Sequence, residues 1–230
     1  MSNLLGNPKP GYVASDLLST NLLMEREQIL SQRGMHYRDI TTHHAILLVL
    51  PSHGGEYKDE WNPETSVYTF IGHDSTTEES QGEMSDQLDM YSSGKLTENG
   101  KFYRAAHEYI DGIRSIPLQV RVYEKIDSGI WFNKGIFNLI DARKVTDNDR
   151  TLFKFDLTPL GDISGTHFQE RMTSAAIKSQ VWLQDHGHCW ECAKETGLRF
   201  TNICTNHVPS VHLVCETHRG ESSEKRGLLG

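Results

Sequence analysis

The stretch AILLVLPSHGGEYKDEWNPETSVYTFIG, residues 45–72, decides how this chain is read. It opens on six apolar residues, Ala45 to Leu50, far short of the ~20 that a membrane helix needs and the right length for a buried strand. His53, Gly54 and Gly55 follow as a turn. A cluster of aromatic and acidic side chains comes next, Tyr57, Asp59, Glu60 and Trp61, and then a second strand, residues 67–71, closed by Gly72. Two strands flanking such a loop suit the grip on a flat, hydrogen-bonding group such as a nucleobase. The base stacks on an aromatic ring while a carboxylate accepts from its amino group. The competing reading is a hairpin with an ordinary acidic loop.

Outward from this stretch the chain divides by pattern. Residues 1–15 carry Gly6, Pro8, Pro10 and Gly11 and read as an irregular lead-in. Ser15 or Asp16 is placed to cap a helix running to about Arg33, stopped by Gly34. Residues 73–91 are polar and acidic and read as a surface loop. A helix is expected from about Thr97 through KFYRAAHEY (residues 101–109), closed by Gly112. Short strands follow at residues 118–124, 130–132, 136–140 and 152–157, with Asn133, Lys134 and Gly135 as a break and residues 147–149 as a turn. Short strands at this spacing predict a curved, barrel-like sheet with flanking helices, an α+β fold. Residues 161–165 read as a linker, and a helix is expected from Ala175 to about Asp185.

The 230 residues allow one large domain, or a main domain with a small one. A formal net charge of −8 argues against a generic, uniformly basic nucleic-acid coat. It leaves room for a local basic face, and Arg114, Arg121, Lys125, Lys134, Arg143, Lys144, Arg150 and Lys154 gather in the β-rich region. A solvated sheet face explains the same bias. Residues 1–12 hold no apolar core of a signal sequence, and no run is long enough for a membrane span. A cytoplasmic protein without membrane contact is therefore expected.

All four cysteines lie between residues 189 and 215. Cys189-Trp-Glu-Cys192 and Cys215-Glu-Thr-His218 form two close pairs of soft ligands, which suits tetrahedral, structural zinc. A rival quartet is Cys189, Cys192, Cys204 and His207, because Cys204-Thr-Asn-His207 has the same spacing. His186, His188 and His212 read as solvent or turn histidines.

Several of these motifs occur in the order of a known family. The chain resembles the SRA (SET- and RING-associated) domains, of PUA-like fold, which bind DNA and flip a modified cytosine out of the duplex. The resemblance rests on LLVLPSHGGEYKDEW followed by VYTFIG, on SQRGMHYR upstream, and on GKLTENG, PLQVRV, WFNKGIFN and LFKFDL downstream, over residues 25–160. It implies a base pocket with Tyr57 as one aromatic platform and Phe70 or Tyr68 as the second. The acid that reads the pairing edge falls on Glu60 by count or on Asp59 by residue type. Arg38, Arg121 and Lys134 are the candidates for DNA-backbone contact. Two departures stand out: Glu56 intrudes before Tyr57, and the second aromatic can be Phe.

The tail, residues 173–230 after a linker at 161–172, resembles the small zinc-binding ββα (treble-clef) domain of HNH endonucleases, of the McrA-like, modification-dependent restriction type. IKSQVWLQDHGHCWEC (residues 177–192), Leu198-Arg-Phe200 and LVCETH (residues 213–218) carry that resemblance. The catalytic part departs from it. Thr201 and Asn202 stand where the family has Asp-His, Ser210 or Val211 where it has Asn, and Arg219 where it has a metal ligand. The resemblance therefore implies a reader of methylated or hydroxymethylated cytosine in double-stranded DNA, carrying a degenerate nuclease domain held by zinc. One alternative is an active, Mg²⁺- or Mn²⁺-dependent endonuclease with His207 as general base, for which paired cuts would call for a homodimer. A second is a zinc-bearing β-rich module that binds RNA or protein.

Overall fold

The computed structural model describes residues 17–30, 34–38, 44–50, 59–73, 86–147, 149–161, 172–173, 175–195, 197–205 and 208–218. In chain order the elements are β1 (Leu17–Ser19), α1 (Thr20–Glu27), β2 (Gly34–His36), β3 (Ala45–Val49), β4 (Glu60–Asn62), β5 (Val67–Ile71), α2 (Glu98–Ile110), β6 (Leu118–Asp127), β7 (Ile130–Asp147) and β8 (Arg150–Pro159). They continue with α3 (Ala175–Gln184), β9 (Leu198–Thr205), β10 (Val208–Cys215) and a 3₁₀ turn at Glu216–His218. The architecture is α+β and dominated by one sheet, in the order β2-β3-β6-β7-β8-β5-β4, with β1 paired to β7 off that path. Among the described strands the path stays open, so the barrel-like closure expected from the strand spacing is absent. Both ends of the path, β2 and β4, are three-residue strands, which leave little unpaired backbone exposed. Among the described residues no helix is long and apolar enough to cross a membrane.

The expected hairpin between residues 45–50 and 67–71 is not formed. All five residues of β3 are buried, so the strand needs cover on both faces, and it lies inside the sheet between β2 and β6. β5 alternates in burial and pairs instead with β4 and β8. The helix expected from residue 15 or 16 starts later. Leu17 and Leu18 pair as strand with Phe132 and Trp131, and Ser19 caps α1 by accepting the Leu22 N–H. α1 stops before Gly34 because Gln28 turns left-handed at φ 51°.

α2 follows its sequence signals. Thr97 accepts the Gly100 N–H at 3.0 Å, and Phe102, Ala105 and Ala106 form the buried side. β7 runs unbroken through Asn133, Lys134 and Gly135, which sequence alone makes a turn. Asn133 Oδ1 takes the Gly135 N–H at 2.9 Å, Gly135 adopts φ 93°, and Lys134 is neutralised by Glu124 at 3.1 Å.

The chain forms two compact units. The first comprises residues 1–8, 33–122 and 136–161, and the second residues 9–32, 123–135 and 162–230, so β6 and β7 each pass from one unit to the other in mid-strand. In the first unit, Phe102, Phe153 and Phe155 make a ring cluster with centroids about 6 Å apart. In the second, Ile126 and Phe132 share a core with Val181, Cys189, Leu198, Phe200, Leu213, Val214 and Cys215. Inside this second unit Glu124 is buried between two lysines: Lys178 Nζ at 2.8 Å, itself 3.8 Å from the Phe132 ring centre, and Lys134 Nζ.

Candidate functional site

The β4–β5 hairpin is built around Asn62. Its Oδ1 accepts the N–H groups of Glu64 and Thr65 at 3.0 and 3.2 Å, and Ser66 closes the turn at φ 53°. The register pairs Glu60 with Thr69 and Trp61 with Tyr68. Side chains alternate across a strand, so Trp61 and Tyr68 share one face and Glu60 lies on the other. The residue just before β4, Asp59, is drawn back onto β5. Its Oδ2 accepts from the Tyr68 hydroxyl at 3.0 Å and its Oδ1 from the Ile71 N–H at 3.2 Å. Of the two candidate acids, then, Asp59 joins the Tyr68 side and Glu60 stands exposed beside Thr69.

Tyr68 and Phe70 are each 4% exposed. The Tyr68 ring lies 6.1 Å from Phe137, and the Phe70 ring meets His73 edge-on at 5.5 Å. They are core rings as they stand, and the depression at the hairpin, about 560 Å³ and open to solvent, is lined instead by Glu60, Trp61, Asn62, Pro63 and Glu64. Tyr57 lies outside the described residues. On the Glu60 face, Thr69 Oγ1 donates to Asp156 at 2.7 Å, and Asp156 also binds the Arg143 guanidinium.

The candidate phosphate contacts are placed unevenly. Arg38 is half-buried. Arg121 is buried and Lys134 is 3% exposed, in its ion pair with Glu124, so a surface role for Lys134 is set aside. Sequence reading overlooked that buried cluster because its third member, Lys178, lies 54 residues beyond Glu124. Burial opposes the charge on Glu124, but the two ammonium groups outweigh it and hold the carboxyl below its ordinary range. Burial pushes the Lys178 ammonium down to about 7, against the pull of Glu124 and with the push of Lys134.

In the second unit, the ligand atoms of Cys189, Cys192, Cys215 and His218 all lie within 4.8 Å of one another. The resolved edges are 3.6 Å from Cys189 Sγ to His218 Nδ1, 3.7 Å from Cys192 Sγ to Cys215 Sγ, and 3.4 Å from Cys215 Sγ to His218 Nδ1. Zinc–sulfur bonds of about 2.3 Å in a tetrahedron put neighbouring sulfurs about 3.8 Å apart, so these three edges are close to those of a tetrahedral ion's donor set. A sulfur separation of 3.7 Å is far beyond a disulfide, which needs about 2.05 Å. Burial resists ionisation of Cys215, but the backbone N–H and imidazole of His218 and the Thr217 N–H outweigh it, and the thiol falls to about 6. The same balance lowers Cys189, where backbone donors and His218 overcome burial. Thiols tuned toward the thiolate are ready metal ligands.

The two pairs meet because β9 and β10 form a long hairpin that returns the chain, with Leu198 opposite Cys215. Residues 219–230, where the sequence reading expects the helix of a ββα unit, lie outside the described residues, as does His207. Thr201 and Asn202 sit within β9, opposite His212 and Val211. His212 is not a solvent histidine. It is 6% exposed, its Nδ1 lies 3.2 Å from Asp185 Oδ1, Asp185 Oδ2 accepts the Leu213 N–H at 2.7 Å, and the Trp190 ring covers it at 4.7 Å. Asp185 thereby ties the end of α3 to β10, a role that no local pattern in the sequence shows.

No family model matches this chain, and no curated protein does. Solved structures resemble it at low identity. The SRA domain of SUVH5 bound to fully hydroxymethylated CG DNA aligns over 70% of this chain and 96% of its own, at 15% identity and a TM-score of 0.47. The same domain with hemi-methylated CG DNA aligns over 66% and 92%, at 18% identity and a TM-score of 0.46. The modification-dependent TagI restriction endonuclease aligns over 90% of this chain and 76% of its own, at 12% identity and a TM-score of 0.43. The structural neighbours are thus SRA domains with modified DNA and a modification-dependent restriction enzyme. At these values what this chain does has to be read from its own residues.

Proposed function

We propose that this chain reads a modified cytosine in double-stranded DNA by turning the base out of the duplex, and that its tail is a zinc-stapled, nuclease-like domain that does not cut. The observation that carries the reading is the tethered carboxylate of Asp59. It sits in the segment where the SRA resemblance places the base-reading acid, and the Tyr68 hydroxyl and Ile71 N–H fix its orientation. A carboxylate offers about four lone-pair sites, the acceptor type that the amino group of a cytosine requires. Tyr57, two residues before it, supplies the stacking ring, worth roughly 1–3 kcal/mol against a flipping cost of a few kcal/mol. Tyr68 and Phe70 are buried, and the Tyr68 hydroxyl is one of the donors on Asp59. Glu60, on the opposite face, is released from the reading role.

Zinc on Cys189, Cys192, Cys215 and His218 would supply folding free energy to the second unit. The absence of cutting is read from the sequence, with Thr201 and Asn202 where a general base and its neighbour would be needed.

The test is binding to a panel of duplexes carrying cytosine, methylcytosine, hydroxymethylcytosine or glucosylated cytosine, with nicking followed in the same tubes in Mg²⁺ or Mn²⁺. Preference for a modified duplex is expected, lost in Tyr57→Ala and in Asp59→Asn, while weak, salt-sensitive binding persists through phosphate contacts. Equal affinity across the panel refutes the reader. Nicking that His207→Ala abolishes refutes the silent nuclease.

A further inference from the structure

The motif GKLTENG, residues 94–100, holds no candidate base- or phosphate-contacting residue, yet hydrogen bonds link it through the Gly72–His73 backbone toward Asp59. Thr97, besides capping α2, donates from Oγ1 to the Leu88 carbonyl at 2.7 Å and from its N–H to the Asp89 carbonyl at 2.9 Å. The segment before the motif is thereby held against the start of α2. Two buried carboxamides then face the chain just past β5. Asn99, 5% exposed, brackets His73: its Oδ1 accepts the His73 N–H at 3.2 Å and its Nδ2 donates to the His73 carbonyl at 2.7 Å. Gln87, 2% exposed, donates from Nε2 to the Gly72 carbonyl at 2.5 Å and accepts the Phe153 N–H at 2.8 Å. The Gly72 N–H donates to the Phe153 carbonyl at 2.9 Å. The fit admits no side chain, since a Cβ on Gly72 would stand 2.6 Å from Asn99 Oδ1 and 2.8 Å from Gln87 Oε1.

Gly72 follows directly on Ile71, and the Ile71 N–H is one of the two donors that hold Asp59. Each carboxamide uses a donor arm and an acceptor arm at once, which a carboxylate of the same shape cannot do. A recognition group has to stay within about 0.5 Å of its working position to keep its selectivity.

We infer that Gln87 and Asn99 are positioning residues for the Asp59 carboxylate, and that through it they set the preference for a modified cytosine; this rests on the role proposed above for Asp59. Neither amide touches the base. They act through a contiguous path: carboxamide, Gly72–His73 backbone, Ile71 N–H, Asp59.

The experiment uses the full chain with Gln87→Glu and Asn99→Asp, which keep the shape and the acceptor but lose the donor. Gln87→Met and Asn99→Leu serve as an uncharged second pair. Affinities are measured for one duplex with a single 5-methylcytosine and for its unmodified twin, beside the thermal midpoint and hydrogen exchange at the Ile71 amide. The expected result is a tenfold or greater fall in the ratio of the two affinities, with unmodified-duplex affinity held within twofold. The Ile71 amide is expected to exchange at least tenfold faster in the same variants. Equal loss on both duplexes together with a lowered midpoint would mean plain scaffolding and overturns the inference. An unchanged Ile71 exchange rate overturns it without any DNA. If the wild type shows no preference, or Asp59→Asn keeps it, the reading of Asp59 fails. If Asp59→Asn loses the preference and every amide variant keeps it within twofold, only the positioning role fails.

Discussion

Lys134 shows what a single residue can conceal. On a strand rich in basic side chains it reads as a phosphate contact, yet it is buried against Glu124, with Lys178 on the other carboxylate oxygen. The cluster predicts opposite outcomes for two substitutions. Glu124→Gln removes the buried carboxylate that faces both lysines and is expected to cost about 3–5 kcal/mol in urea unfolding. Lys178→Met replaces an ammonium that burial already pushes down to about 7 with an apolar side chain of similar length and keeps the Glu124–Lys134 pair, so it is expected to be close to neutral at pH 7. The pH dependence has a definite sign. The folded-state value of Lys178, about 7, lies below its ordinary 10.5, so between these pH values the unfolded chain binds more protons and stability rises with pH. Relative to Lys178→Met, the wild type is expected to gain stability from pH 7 to pH 10, and the gain is absent if Lys178 titrates normally. Asp59 and Glu60 teach a related lesson. Counting along the motif favours Glu60 and residue type favours Asp59, and the structure sets Glu60 beside Thr69 and Asp59 on the Tyr68 hydroxyl.

At the scale of elements, legibility followed how local the signal was. α2 was readable because its cap, its apolar side and the glycine that follows it all lie within or next to the element. β5 and β8 were readable from alternation. The partner of β3 was not, because a strand buried on both faces carries no mark of which neighbour it takes. The continuity of β7 was hidden for a different reason. Asn133, Lys134 and Gly135 are turn-forming types, and the partners that allow them inside a strand come from folding. α1 shows a third limit, since a left-handed glutamine ended it where sequence pointed to a later glycine. Within α2 the packing makes a sharp prediction. A Cβ on Gly100 would lie 2.0 Å from the Asp89 carbonyl oxygen, so Gly100→Ala is expected to destabilise by about 1–3 kcal/mol despite its better helix propensity. Chemical denaturation measures this directly, and a neutral or stabilising result would show that the Asp89 segment gives way.

For the molecule as a whole, the meeting of three cysteines and a histidine was the most legible feature and the interleaving of the two units along the chain the least. Paired CxxC and CxxH spacing is written locally, and the hairpin delivers the four ligands to one point. Chelation is expected to lower the thermal midpoint and to expose the second unit's core to a dye such as ANS, with both effects reversed by added Zn²⁺. Cys192→Ser is expected to reproduce much of the loss in the absence of chelator, and an unchanged midpoint in either experiment would deny the metal a structural role.

The mid-strand crossings of β6 and β7 have a bearing on how the gene can be cut. Ending translation at residue 161 would delete α3, β9 and β10 but leave Ile126, Ile130 and Phe132 behind, stripped of the side chains that cover them. Such a product should be sticky and short-lived instead of a free-standing domain. For the same reason the tail is no cassette: a recombinant that grafts it onto another protein would have to carry the matching tips of both strands with it.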